Sequence, residues 1–366
     1  MFTRKNKRDF YRILPFGLIW VIYAIVYFIL EKGLLHNLEA YPSTGNPYSF
    51  GPNTLILIVV GGVSGLIMGT LEIKVFSNLF TRQSFGKKLL YKTSLYVILM
   101  IVFVIIISAF DNSIKLKTSV FDKEVWINIL EFLSSYTFWA FQLYLALMIG
   151  TTLFYSEASE NIGMAVLRNF FIGKYHKPIQ EERIFMFLDM KSSTTIAEKI
   201  GHVKYFEMLS QYYSDLSDPI IEYRGEVYQY VGDEIVVSWK LNNGLQDNNC
   251  LKCFFAMKDS IKDRSEKYQS KFQILPSFKA GFHYGTVTTG EIGVLKKDIV
   301  FSGDVLNTTA RIQGLCNSYN VEVLISDQLM NKMNIESDFE IKSEGKNKLR
   351  GRNETIELFS VKLKKN

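Results

Sequence analysis

A chain of 366 residues is long enough for two ordinary domains, and 48% hydrophobic residues is high for a purely water-soluble protein. The 42 basic and 36 acidic residues leave a net charge of +6, too mild to point by composition to a nucleic-acid partner. Cys250, Cys253 and Cys316 are too few for a disulfide framework, which suggests a reducing compartment, and the Cys250/Cys253 pair lacks the second pair or spaced histidine that a zinc site needs.

Apolar stretches at 13–30, 54–71, 95–110 and 126–155 are each long enough, with their flanks, to cross roughly 30 Å of hydrocarbon. No such stretch follows Tyr155, so four transmembrane helices are expected over 1–155. Arg4, Lys5, Lys7, Arg8 and Arg12 precede the first span, and Lys74, Arg82, Lys87, Lys88 and Lys92 crowd the second loop; both segments are expected in the cytoplasm. The other two loops are poorer in uncompensated basic residues and read as external. An even number of crossings then returns the rest of the chain to the cytoplasmic face of a cell membrane, in a compartment that holds nucleoside triphosphates. Gly61, Gly65 and Gly69, at four-residue spacing, open one helix face to close packing, within the bundle or against a second copy. Glu131 and Gln142 are polar at or near membrane depth. A connector over 156–182 starts polar and then spaces Ile162, Val166 and Phe170 as an amphipathic helix before Pro178.

The remainder, 183–366, reads as one mixed α and β domain. An apolar run at 184–188 ends in Asp189 and leads through Lys191, Ser192, Ser193 and Thr194 into a helical pattern: strand, tight turn, helix N-terminus. Backbone N–H groups in such a turn suit phosphate oxygens, and a carboxylate beside phosphate makes sense as a ligand of a divalent cation. A helix with Tyr205, Phe206, Leu209, Tyr213, Leu216 and Ile220 on its buried side follows. Two strands then flank Gly232-Asp233, a hairpin expected to show the aspartate at its tip. Farther on, Asn307 and Arg311 stand one turn apart on a helix, an amide and a guanidinium suited to a sugar and a phosphate.

Taken together, Phe187-Leu-Asp-Met-Lys-Ser-Ser-Thr-Thr195, Tyr228-Gln-Tyr-Val-Gly-Asp-Glu-Ile-Val-Val237, Gly303-Asp-Val-Leu-Asn-Thr-Thr-Ala-Arg311 and Leu349-Arg-Gly351 resemble the catalytic domain of class III adenylyl and guanylyl cyclases. The resemblance spans half the chain. It implies an α+β, ferredoxin-like palm domain with a βαββαβ core behind the α-helical membrane bundle, active as a head-to-tail homodimer with its sites at the interface. It further implies that Asp189, Asp233 and the Met190 carbonyl hold two Mg2+ or Mn2+ ions, while Asn307 and Arg311 come from the other protomer. The late basic residue that grips the triphosphate is Arg350 here, where the family often has lysine; a guanidinium does this bidentately.

The base-reading positions depart further from the family. In adenylyl cyclases they are typically Lys with Asp, in guanylyl cyclases Glu with Cys; here they are Gln229 and Val300. A glutamine amide both donates and accepts and so fits either purine, and a register slip of two would bring Asp298 to the place of Val300. ATP is favoured over GTP because the Glu/Cys pair is missing. The alternatives are a guanylate cyclase and a catalytically weak sensor. A diguanylate cyclase would need a Gly-Gly-(Asp/Glu)-Glu-Phe hairpin, which Val231-Gly-Asp-Glu-Ile235 is not.

Overall fold

A computed structural model describes residues 4–35, 50–77, 79–81, 83–335, 339–349 and 355–364. The chain divides into two units, Met1–Arg168 and Asn169–Asn366.

Helices dominate the first unit: α1 (Arg4–Leu35), α2 (Phe50–Leu71) running into a π turn (Glu72–Phe76), α3 (Phe85–Leu116), α4 (Lys123–Ser134) and α5 (Tyr136–Ile162), with α6 (Met164–Ile172) crossing the boundary. Four segments, Arg8–Leu34, Leu55–Phe76, Phe85–Leu116 and Tyr136–Ile162, are long and apolar enough to span a membrane. The fourth apolar stretch is thus two helices rather than one span over 126–155. Ser135 takes an extended conformation (φ −73°, ψ 145°), and its hydroxyl accepts the Phe138 N–H at 3.2 Å, starting a new helix there. α5 then runs past Tyr155 to Ile162.

The line of glycines packs inside the chain. A Cβ on Gly65 would lie 2.7 Å from the Phe16 carbonyl oxygen, so only glycine lets α2 approach α1 this closely; Gly61 and Gly69 face Ala24 and Phe16 of the same helix. Phe16, Trp20, Met68, Tyr96, Leu145 and Ile149 form the center of the bundle, and Ile98, Val102, Phe103 and Ile106 are exposed on its outside.

Among the described residues of this unit, the buried charges Glu72 and Lys92 are paired. The Lys92 ammonium donates to Glu72, which also accepts the Tyr96 hydroxyl at 2.9 Å; lysine and glutamate are 3% and 4% exposed. Lys88 pairs with Glu157 and Arg12 with Glu160, tying the end of α5 to α3 and α1. Glu131 is exposed on α4, whereas Gln142 is buried with no partner for its amide among the described residues. Breaking the buried pair strands a charge, so Lys92→Met is expected to destabilize the protein by about 3–5 kcal/mol, while Lys92→Met combined with Glu72→Leu recovers most of the loss. Melting curves in detergent check both variants.

The second unit is built on one sheet. Its elements in order are β1 (Ile179–Met190), α7 (Ser193–Ile200), α8 (His202–Glu222), β2 (Glu226–Val231), β3 (Glu234–Lys240), α9 (Leu241–Leu245), α10 (Asn249–Asp263), α11 (Ser265–Phe272), β4 (Phe278–Ile292), β5 (Asp298–Ser302), α12 (Asp304–Gly314), β6 (Val323–Ser326), α13 (Asp327–Met330), β7 (Phe339–Lys348) and β8 (Thr355–Leu363). Strand order is β2-β3-β1-β4-β6-β8-β7, with β5 paired to β4; β4 and β6 are parallel, the other pairs antiparallel.

Alternation along β1 assigns the two faces. Ile184, Met186, Leu188 and Met190 join the main core with residues of α8, α10 and α11. Phe185 and Phe187 point the other way, to Val236, Val287 and Val305 of α12. Asp189 shares their parity and so falls on the α12 face. On α8 the buried stripe runs through Met208, Leu209, Tyr212, Leu216 and Ile220, and Phe206 is 72% exposed, contrary to the sequence expectation: it stands outside the arc that the stripe covers. Cys250 and Cys253 lie in the core on α10 and Cys316 in a smaller cluster; burial pushes the Cys250 and Cys316 thiols up to about 12, so both stay neutral.

Candidate active site

Asp189 sits opposite Lys279 in the β1/β4 ladder. The lysine Nζ is 3.5 Å from Asp189 Oδ2, and Gln313 of α12 donates its Nε2 to the same oxygen at 3.2 Å. The Asp233 carboxylate is near enough to act electrostatically on that of Asp189. Burial, and then the neighboring Asp233, push the Asp189 carboxyl above its usual range, against the pull of Lys279 and Gln313. Glu234 is pushed up to about 6 by burial and by the same two aspartates.

Asp233 is not at an exposed tip, as the Gly-Asp turn suggests, but half-buried. The Tyr213 hydroxyl donates to the Gly232 carbonyl at 2.7 Å, and its ring packs on Tyr230 with centroids 4.4 Å apart, which draws the hairpin down onto α8. As a result Asp233 Oδ2 is shut off from solvent with no partner among the described residues.

Two adjacent carboxylates, one with an orphaned buried oxygen, repel each other unless a cation or a proton lies between them. That donor set suits Mg2+ or Mn2+. Among the described residues no three His, Cys, Asp or Glu side chains converge as a closed cage, and a hard cation held by few carboxylates takes its remaining ligands from water and phosphate. The Met190 side chain is core, 2% exposed, which leaves only its carbonyl for such a role. Ser192 adopts a left-handed conformation (φ 57°), a strained setting for a non-glycine residue, and starts α7, whose first-turn N–H groups at Ser193 and Thr194 have no intrahelical acceptor.

Asn307 is exposed and Arg311 half-exposed on α12; among the described residues neither side chain has a hydrogen bond or ion pair, and neither is tied to Asp189 or Asp233. Gln229 is exposed on β2 beside a bulge at Tyr228. The bulge turns Tyr228 onto Phe301 of β5, ring centroids 4.7 Å apart, and the Phe301 N–H donates to its hydroxyl at 3.3 Å. Val300 pairs with Gly290 in a ladder free of register shifts, and Asp298 stands two residues earlier, at the start of β5, 3.0 Å from Lys296. Arg350 lies outside the described residues.

Lys279 and Gln313 were missed by sequence reasoning. A lysine between Phe278 and Ala280 in an apolar strand is the one signal the sequence offers, and nothing short of the helix docking reveals Gln313.

Comparison with known proteins is consistent with this arrangement. Residues 175–362 match the family described as the adenylate and guanylate cyclase catalytic domain. The chain is 33% identical over 212 residues to adenylate cyclase 2 of Rhizobium meliloti (strain 1021), covering 58% of each chain, and 25% identical over 187 residues to the adenylate cyclase of Anabaena cylindrica, covering 48% of this chain and 36% of that one. It therefore spans less than two thirds of the length of these relatives. A solved structure of a bacterial light-regulated adenylyl cyclase superposes with a TM-score of 0.53 at 20% identity over 63% of this chain and 67% of that one, a likeness of fold.

Proposed function

The chain belongs to the adenylate and guanylate cyclase catalytic-domain family, and we propose that it is a membrane-anchored class III adenylate cyclase, converting ATP to 3′,5′-cyclic AMP and pyrophosphate at a homodimer interface for second-messenger signaling. The observation that carries this reading is the Asp189/Asp233 pair with its orphaned buried oxygen.

Divalent cations at this pair, Mg2+ or Mn2+, supply two things when bound: acidification of the ribose 3′-hydroxyl and neutralization of the triphosphate. In the reaction the 3′-oxygen bonds to the α-phosphorus as the bond to pyrophosphate breaks. Asp189, Asp233 and the Met190 carbonyl hold the cations. N–H groups of Ser192, Ser193 and Thr194 face the phosphates, and Lys279 offsets part of their charge. Asn307 and Arg311, without a side-chain partner among the described residues of their own protomer, are contributed by the partner: the amide orients the ribose, and the guanidinium meets charge growing on the α-phosphate. Arg350 grips the triphosphate.

Gln229 and Val300 lie along the base. The Gln229 amide matches either purine; similarity to proteins named adenylate cyclases supports ATP. Basic residues flanking the first and second spans support an N-terminus and catalytic domain on the cytoplasmic side of the bilayer. The 366-residue chain in nanodiscs, given ATP or GTP with Mg2+ or Mn2+, is expected to release cyclic AMP several-fold faster than cyclic GMP, read by chromatography. A reversed ratio would assign guanylate cyclase activity, and no product from either nucleotide would leave a binding module.

A further inference from the structure

The buried flank of α12 carries a residue that none of the roles above employs as more than a neighbor. Gln313 is 7% exposed and stands two positions beyond Arg311. Its Nε2 donates to Asp189 Oδ2 at 3.2 Å. The contact exists because β4 has Gly281 where the helix crosses it: a Cβ there would lie 2.3 Å from the Gln313 backbone nitrogen. Lys279 addresses the same carboxylate oxygen at 3.5 Å. One oxygen of Asp189 is therefore committed to protein donors, and the other has no protein donor among the described residues. A carboxylate with both oxygens free turns easily about its last torsion; pinning one fixes the plane in which the other is presented.

We propose that Gln313 is a positioning residue for Asp189, holding the carboxylate of its own protomer in the orientation that accepts a divalent cation. The proposal rests on the cyclase reading for the identity of the cation as a cofactor. Gln313→Met keeps the bulk against Gly281 and removes the donor. Free Mn2+ measured by electron paramagnetic resonance, with the 366-residue chain and no nucleotide, is expected to show about tenfold weaker binding in this variant. The Mg2+ concentration for half-maximal activity should rise by a similar factor, with kcat at saturating Mg2+ much less affected. Gln313→Ala serves as the second variant should the first fail to fold, and melting temperatures accompany both.

Unchanged Mn2+ affinity at an unchanged melting temperature would overturn the proposal, as would a fall in kcat without a shift in metal requirement, which marks a role in seating α12 alone. Dimers assembled from an Asp189→Ala chain and an Arg311→Ala chain locate the effect. Gln313→Met should raise the metal requirement when carried by the Arg311→Ala chain, whose Asp189 is intact, and not when carried by the other; the opposite pattern would also overturn it. Wild-type protein that binds no Mn2+ would instead sink the two-metal reading, a distinguishable result.

Discussion

Asp189→Ala and Asp233→Ala are each expected to lower cyclase turnover by about a thousandfold or more, and Asp233→Ala to do so without lowering the melting temperature of metal-free protein. The two effects have one cause. Burial and proximity hold Asp189 above its usual carboxylate range, and Asp233 keeps an oxygen buried with no partner among the described residues, so without a cation the pair is a destabilizing feature of the fold. Removing either member relieves repulsion and removes a cation ligand, but Asp189→Ala also leaves the buried Lys279 without its carboxylate. Activity assays paired with calorimetry in chelator check the prediction. A variant that melts much lower would show that the carboxylates stabilize the domain, and near-wild-type turnover would remove them from the chemistry.

A second large effect is expected from mixing inactive chains. Asn307 and Arg311 have no side-chain partner in their own chain among the described residues, although they stand on a helix whose buried flank touches Asp189. If these residues serve the neighboring protomer, Arg311→Ala and Asp189→Ala homodimers are both nearly inactive, yet each mixed dimer contains one complete site. Random assembly makes half of the dimers mixed, with one working site of two, so about a quarter of wild-type activity should return on coexpression. Separately purified and coexpressed proteins, assayed at equal total concentration, give the comparison. No recovery in verified mixed dimers would mean that each site draws all of its residues from one chain.

What sequence made legible of the proposed site is the local element under each residue: Asp189 at a strand-to-helix turn, Asp233 in a hairpin, Asn307 and Arg311 at helical spacing. What escaped depends on tertiary contact. Lys279 reaches Asp189 only because β4 pairs with β1 in one register, and Gln313 only because Gly281 lets α12 descend on that strand. Asp233 read as an exposed tip because the hydrogen bond from Tyr213 to the turn comes from a helix distant in sequence. In the first unit, hydropathy located the spans, but a continuous apolar run hid the break at Ser135, since a single capping serine does not interrupt hydrophobicity. The glycine line left two packing partners open, and the side chains of Phe16 and Trp20 show that its contact is α1 of the same chain.

Anomalous diffraction from crystals grown with Mn2+ and an unreactive ATP analog is the most direct measurement. Manganese peaks beside both Asp189 and Asp233, with the triphosphate on the same ions, are the expected result. Ordered nucleotide with no manganese near either aspartate would contradict a cation-dependent cyclase at this site.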